Sequence, residues 1–101
     1  MENCIFCKII AGPQDDIIWQ NETVVAFKDI HPDSPVHILI VPKRHIPDLD
    51  HLDDILLGGQ ILEAVKVVAA KEGVSGAYRV QSNNGRSAGQ IIDHLHFHLL
   101  G

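Results

Sequence analysis

Three histidines recur at every second position near the C-terminus, in the run His94-Leu95-His96-Phe97-His98-Leu99-Leu100. Successive side chains of a strand point to opposite faces, so this run predicts a β-strand over 94–100 with three imidazoles on one face and Leu95, Phe97 and Leu99 on the other. Same-face neighbours on a strand lie roughly 6.5–7 Å apart, which puts the outer pair about 13–14 Å apart. With nitrogen–metal distances of roughly 2 Å, three such histidines do not share one ion, although two can. Neutral imidazole nitrogen is a nucleophile toward phosphorus, and neighbouring imidazoles stabilise the charge that develops on a phosphoryl group. The bland alternative is the solvated polar face of an edge strand, but the interleaved Leu and Phe argue for a packed one. Just upstream, Ser82-Asn83-Asn84-Gly85-Arg86-Ser87-Ala88-Gly89-Gln90 offers amides, hydroxyls, backbone N–H groups and one guanidinium, a composition that suits phosphate. Alone, the same segment reads as an ordinary turn.

A second group sits at the other end of the chain. Cys4-x-x-Cys7 has the spacing of half a structural zinc site, which two histidines would complete. Two reduced, half-buried cysteines are the simpler reading, and a redox pair lacks the βαβ context it usually has. Two cysteines three apart favour a reducing compartment over a disulfide framework.

The elements that must position these groups follow from patterning. Cys4 to Ile10 predicts a short helix with Ile5, Phe6, Ile9 and Ile10 at helical spacing, closed by Gly12 and Pro13. Ile17 to Gln20 and Thr23 to Lys28 predict a hairpin around Asn21 and Glu22. Asp29 to Pro35 is a loop, and Val36 to Val41 is a β-branched run that predicts a buried central strand ending at Pro42. From Asp53 to Glu72 the stripe Leu57, Ile61, Ala64, Val65, Val68 predicts one amphipathic helix stopped by Gly73, with a kink or close packing at Gly58 and Gly59. Tyr78 to Ser82 predicts a strand before the triad strand. The order predicts an α+β fold: an antiparallel sheet with one long helix on a face and a short N-terminal helix.

Composition narrows the partners. The 101 residues, 46% apolar, suit a single domain over 1–101 that self-association would help stabilise. Thirteen acidic against eight basic residues give a net charge of -5, so no positive field gathers a nucleic acid polymer, while small anionic ligands stay open. The opening Met1-Glu2-Asn3-Cys4-Ile5-Phe6-Cys7 lacks the basic and apolar regions of a secretory leader, and no stretch is apolar for the length of a bilayer crossing. A cytoplasmic protein with no membrane partner is expected.

Taken together, these residues resemble the histidine triad (HIT) superfamily, whose motif is His-x-His-x-His followed by apolar residues. The likeness extends through Cys4-Ile5-Phe6-Cys7-Lys8-Ile9-Ile10, Ala26-Phe27-Lys28-Asp29-Ile30, the stretch from Pro35 through Pro42-Lys43-Arg44-His45-Ile46, and Ala88-Gly89-Gln90. It is most similar to the nucleoside phosphoramidase, or Hint-like, branch. The resemblance implies a homodimer whose two sheets join, a purine nucleotide site in each protomer and a covalent nucleotidyl-imidazole intermediate. It makes His96 the nucleophile, puts His98, His37 and Asn83 at the phosphate, Asp29 on the ribose hydroxyls, and Phe27 and Ile30 against base or sugar. Gly89 and Gln90 precede the triad as in the family. Without the family, Asp29 reads as a loop cap. Where Hint-like enzymes usually carry Ser or Thr after the Gly-Gln pair, this chain has Ile91, which donates no hydrogen bond to phosphate or leaving group. The sequence ends at Gly101, where relatives usually continue in a short tail.

Some bacterial relatives bind zinc through such a cysteine pair, a histidine after Pro-Lys-Arg and the first triad histidine. By resemblance these are Cys4, Cys7, His45 and His94, with His51 as an alternative third ligand. The resulting expectation is a nucleotide hydrolase or transferase acting at the α-phosphate of purine nucleoside phosphoramidates or related conjugates. The alternatives are a dinucleoside polyphosphate hydrolase and a nucleotide-binding regulatory dimer with little turnover.

Overall fold

A computed structural model describes residues 3–101; Met1 and Glu2, the first residues of the stretch read for a leader, lie outside the described residues. The chain runs α1 (Ile5–Ala11), β1 (Ile17–Gln20), β2 (Val24–Lys28), β3 (His37–Pro42), α2 (Ile55–Lys71), β4 (Arg79–Gln81) and β5 (Phe97–Leu100). Single 3-10 turns at Gln14–Asp16, Leu49–His51 and Arg86–Ala88 punctuate the connections. The five strands form one antiparallel sheet in the order β1-β2-β3-β5-β4. This is the expected α+β arrangement.

Period-two patterning explains why the middle strands are apolar throughout. Val24, Ala26, Ile38, Ile40, Leu95 and Leu99 join the core against α2, whereas Val25, Phe27, Leu39 and Val41 face the opposite side, with Phe6 of α1. Each face has its own helix. The stripe expected on α2 is the buried one: Leu57, Ile61, Ala64, Val65 and Val68, with Ala69 beside them.

The ends of α2 are set locally. The Asp54 carboxylate caps its start by accepting from the Leu57 N–H. At its end Gly73 takes a left-handed φ of 76°, its N–H donating to Ala70 O and the Val74 N–H to Ala69 O. This paired closure needs a residue that tolerates positive φ. At Gly58 and Gly59 the helix is continuous and close packing does not require glycine: a Cβ on Gly59 would meet nothing within 4 Å, and one on Gly58 only Leu52 Cδ2 at 3.7 Å.

The triad segment departs from expectation. Only Phe97 to Leu100 pair in the sheet, and His94, Leu95 and His96 approach it as an irregular segment. Their backbone groups bond elsewhere: the Leu95 N–H donates to Ile46 O at 2.6 Å, and the Ser82 hydroxyl donates to His96 O at 2.8 Å. Nor is β5 an edge strand, because it lies between β3 and β4. Among the described residues no helix is long and apolar enough to cross a membrane.

Candidate active site

Register brings the site together. Antiparallel pairing of β3 with β5 sets Leu39 opposite His98 and His37 opposite Leu100, which leaves the His37 and His98 rings on the α1 face. His37 Nε2 lies 2.8 Å from His98 Nδ1. The tautomers follow from partners that only donate or only accept. His37 Nδ1 accepts from the Asp33 backbone N–H at 3.0 Å, so its hydrogen is on Nε2 and is donated to His98 Nδ1. Neutral His98 then carries its own hydrogen on Nε2. Burial holds the His98 pKa below the usual histidine range, and the neighbouring His96 and His37 add to this against the opposing pull of Asp29 and Asp33.

His96 is fixed by a different partner. Its Nδ1 lies 2.8 Å from the His94 carbonyl oxygen, which only accepts, so Nδ1 is protonated and Nε2 keeps its lone pair. The ring is buried and packs edge-on against Phe6, with centroids 5.1 Å apart at 81°, and against His98, also at 5.1 Å. The hydrogen-bond partners thus arrange the row so that the His96 tautomer with Nδ1–H presents the Nε2 lone pair and His98 presents an N–H donor.

These groups open on a cavity of about 380 Å³ between α1, the 27–39 segment and the triad. Ile5, Phe6, Ile9, Phe27 and Leu39 line one wall, and Asp29, His37, His96 and His98 are among its polar groups. Ile30, 86% exposed, stands at the cavity as well. An apolar slot that suits a planar ring thus adjoins a polar end that suits a sugar and a phosphate. Asp29 has two roles in the geometry. Its Oδ1 accepts from the His31 N–H at 2.8 Å, the loop cap read from sequence, while Oδ2 lies 3.4 Å from His37 Nε2.

Several expected site residues stand elsewhere. Gly89 lines the cavity in a left-handed conformation (φ 97°), and a Cβ there would press on Asn83 Nδ2 at 3.3 Å. Asn83 and Gln90 do not line it. Asn83 donates to Ala88 O at 2.7 Å, and buried Gln90 donates to Pro47 O and Ile92 O while accepting from the Gly85 N–H. Both amides are engaged in shaping the loop. Arg86 pairs with Asp93 at 2.9 Å and donates to Ile91 O, so its guanidinium is not at the triad. Three residues that position the site escaped sequence reasoning in that role: Asp33, which orients His37; Phe6, which packs on His96; and Ser82, which holds the His96 carbonyl. Sequence marks Phe6 only as core.

A separate cluster joins Cys4, Cys7, His45 and His94, whose ligand atoms all lie within 4.8 Å of one another. Cys4 Sγ and Cys7 Sγ lie 3.3 and 3.6 Å from His94 Nδ1, and Cys7 Sγ lies 3.3 Å from His45 Nδ1. Tetrahedral zinc with bonds of about 2.3 Å to sulfur and about 2.0 Å to nitrogen needs S···N separations of about 3.5 Å. His94 is also in the right tautomer: its Nε2 lies 2.8 Å from Pro42 O and must donate, which leaves a lone pair on Nδ1 facing the sulfurs. The residues fit a tetrahedral metal. His51, the alternative third ligand, is exposed and bonded to Asp48 at 2.6 Å instead. Asp29, His37 and His98 also lie within 4.8 Å of one another. There the Asp33 amide keeps a hydrogen on His37 Nε2, the atom that faces the group, so this trio fits a hydrogen-bond chain rather than a cation.

Comparison with known proteins shows the family and the fold. The HIT domain family model matches residues 12–101. The purine nucleoside phosphoramidase of Escherichia coli is 41% identical over 105 residues, covering 99% of this chain and 87% of that protein. Protein HitA of Neisseria gonorrhoeae is 37% identical, covering 100% and 97%. Among solved structures, a HIT family hydrolase from Clostridium thermocellum superposes with a TM-score of 0.93 at 42% identity, covering 100% of this chain and 91% of that one. A histidine triad protein from Clostridium difficile gives 0.91 at 35% identity, covering 99% and 90%.

Proposed function

The chain belongs to the HIT domain family, and from that premise we propose that it is a nucleotide hydrolase acting at the α-phosphate of purine nucleoside phosphoramidates or related nucleotide conjugates. The observation that carries this reading is the tautomer of His96, whose Nδ1–H is held by the His94 carbonyl so that a lone pair is left on Nε2. In the proposed reaction His96 Nε2 bonds to the α-phosphorus while the bond to the leaving group breaks, its electron pair going to the leaving atom, which in a phosphoramidate takes a proton from solvent and departs as the amine. His98 Nε2–H, oriented through His37 and Asp33, donates to a phosphoryl oxygen. Water then cleaves the phosphorus–His96 bond, its hydroxyl going to phosphorus and its proton to solvent, and nucleoside monophosphate leaves. The apolar wall with Phe27 takes the base, and Asp29, beside His37, takes the ribose hydroxyls.

Two further parts of this reading rest on the same chain. Zinc at Cys4, Cys7, His45 and His94 would be structural, because four protein ligands leave no open coordination position; it would tie α1 to the segment before β5. A homodimer joined through β4 is supported by the place of that strand at a sheet edge with all three residues exposed.

The test of the chemistry is His96→Ala. Phosphoramidate hydrolysis should disappear, together with any nucleotidylated protein detectable by intact mass, while nucleotide affinity stays within roughly tenfold, since the nucleophile acts on the chemical step. Near-native turnover by a folded His96→Ala protein would falsify the assignment.

A further inference from the structure

The last rung of the β4–β5 ladder pairs Gln81 with His98, and beyond it the two strands part. The 82–90 segment leaves as a loop, its Asn83 amide turning back to Ala88 O. Ahead of β5, His94 turns toward the cysteines. At this fork the Ser82 hydroxyl takes over from the backbone and donates to the carbonyl oxygen of buried His96 at 2.8 Å. We infer that Ser82 is a positioning residue for the nucleophile, whose hydroxyl pins the peptide after His96 and so keeps the imidazole where the His94 carbonyl holds its Nδ1–H. This inference rests on the reaction proposed above.

Two fixed peptides define the seat of the ring. His96 Nδ1–H donates to His94 O, 2.8 Å away, so the tautomer that leaves a lone pair on Nε2 lasts only while ring and carbonyl stay together. The peptide that carries His94 O is tied because its Leu95 N–H donates to Ile46 O. The peptide that carries His96 O is tied by Ser82, and Phe97, which follows, is paired with Ile40 of β3. Between these ties the ring sits edge-on to both Phe6 and His98, with centroids at 5.1 Å. Without the hydroxyl, the His96 carbonyl loses this donor in a buried place, a cost that turning the peptide toward water relieves. That turn carries the His96 Cα with it, lengthens the bond to His94 O and lets the hydrogen settle on either ring nitrogen. A ring with its hydrogen on Nε2 has no lone pair there for phosphorus, and a nucleophile displaced by about 1 Å loses up to about a hundredfold in rate. Ser82 itself does not line the nucleotide cavity, so it acts through His96 and leaves substrate affinity in place.

The test compares Ser82→Ala with wild type, and Ser82→Thr with Ser82→Val, a pair that differs only by hydroxyl against methyl. One readout is the tautomer of His96, from the NMR shifts of its ring nitrogens in histidine-labelled protein. The other is kcat and KM for an adenosine phosphoramidate, with intact mass reporting the nucleotidyl-enzyme. Wild type should show the Nδ1–H tautomer alone. Ser82→Ala should show both tautomers and a kcat lower by roughly tenfold, within the reach of a misplaced nucleophile, at a KM within about twofold. Thr should restore both readouts toward wild type, and Val should match Ala. A residue that merely stabilises the fold would lower the melting temperature and move neither readout; that result in Ser82→Ala would overturn the inference. Equal losses in Thr and Val would overturn it too, by assigning the effect to shape. Should Ser82→Ala fail to fold, the Thr and Val pair decides alone. Absence of nucleotidyl-enzyme in wild type would overturn the proposed reaction, while the tautomer of His96 still decides the role of Ser82.

Discussion

Asp29 joins two functions in one side chain, since one oxygen caps its own loop and the other faces His37. Replacing it with Ala should raise KM for ribonucleotide substrates far more than for their 2′,3′-dideoxy counterparts, because only the former lose a contact to the sugar hydroxyls. An equal loss for both sugars would leave Asp29 as a loop cap alone. His98 gives a second expectation at this scale. Its folded pKa is depressed by burial first, then by His96 and His37. Below the ordinary histidine pKa of about 6.5 the unfolded chain therefore binds more protons at this position, and stability is lost as pH falls. Melting curves at pH 7.5 and 5.5 should show a smaller drop for His98→Asn than for wild type. Parallel drops would mean that protonating His98 costs the fold nothing.

At the scale of elements, α1 is short, and what holds it is Phe6 and the two cysteines. Phe6 bridges the aromatic contacts of Phe27, His94 and His96, so the same seven-residue helix that carries Cys7 and is capped by Cys4 also forms the wall behind the nucleophile. Cys4→Ser with Cys7→Ser should abolish bound zinc, measured by elemental analysis of protein prepared without affinity-tag metals. It should lower the melting temperature while some hydrolysis survives at low temperature, since no reacting group is removed. Wild-type zinc near zero, with an unchanged melting temperature in the double variant, would reject the metal site.

For the whole molecule, the unpaired side of β4 is the feature of interest. Val80 is 42% exposed on that edge strand, and pairing there would extend the sheet into a second protomer. Sedimentation should give twice the 11.1 kDa chain mass for wild type. Val80→Lys places a charge on the edge and should shift the equilibrium toward monomer; if wild type sediments as a monomer at all concentrations, β4 is not an interface.

The sequence by itself determined whatever depends on local periodicity. The alternation around His94, His96 and His98, the stripe from Leu57 to Val68 and the stop at Gly73 are each set by neighbours within one or two turns or a few strand positions, so their pattern shows in the chain. The family was legible separately, through the resemblance of its contiguous motifs, from Cys4-Ile5-Phe6-Cys7 to the His94, His96, His98 triad, to a known family. Tertiary structure alone decided the rest. His37 meets His98 across 61 positions because β3 and β5 pair in one register, and a shift of one residue would send every side chain to the opposite face. Tertiary structure also divided the triad. His94 turns to the cysteines because the Leu95 N–H is drawn to Ile46 O, and its carbonyl sets the tautomer of His96. Composition suggested a phosphate loop in Asn83, Arg86 and Gln90, yet all three bond within or beside their own loop, a choice made by long-range partners such as Pro47 and by the Asp93 carboxylate. Spacing states which groups can share a face; only the folded register states which atoms meet, and so which nitrogen is left free to react.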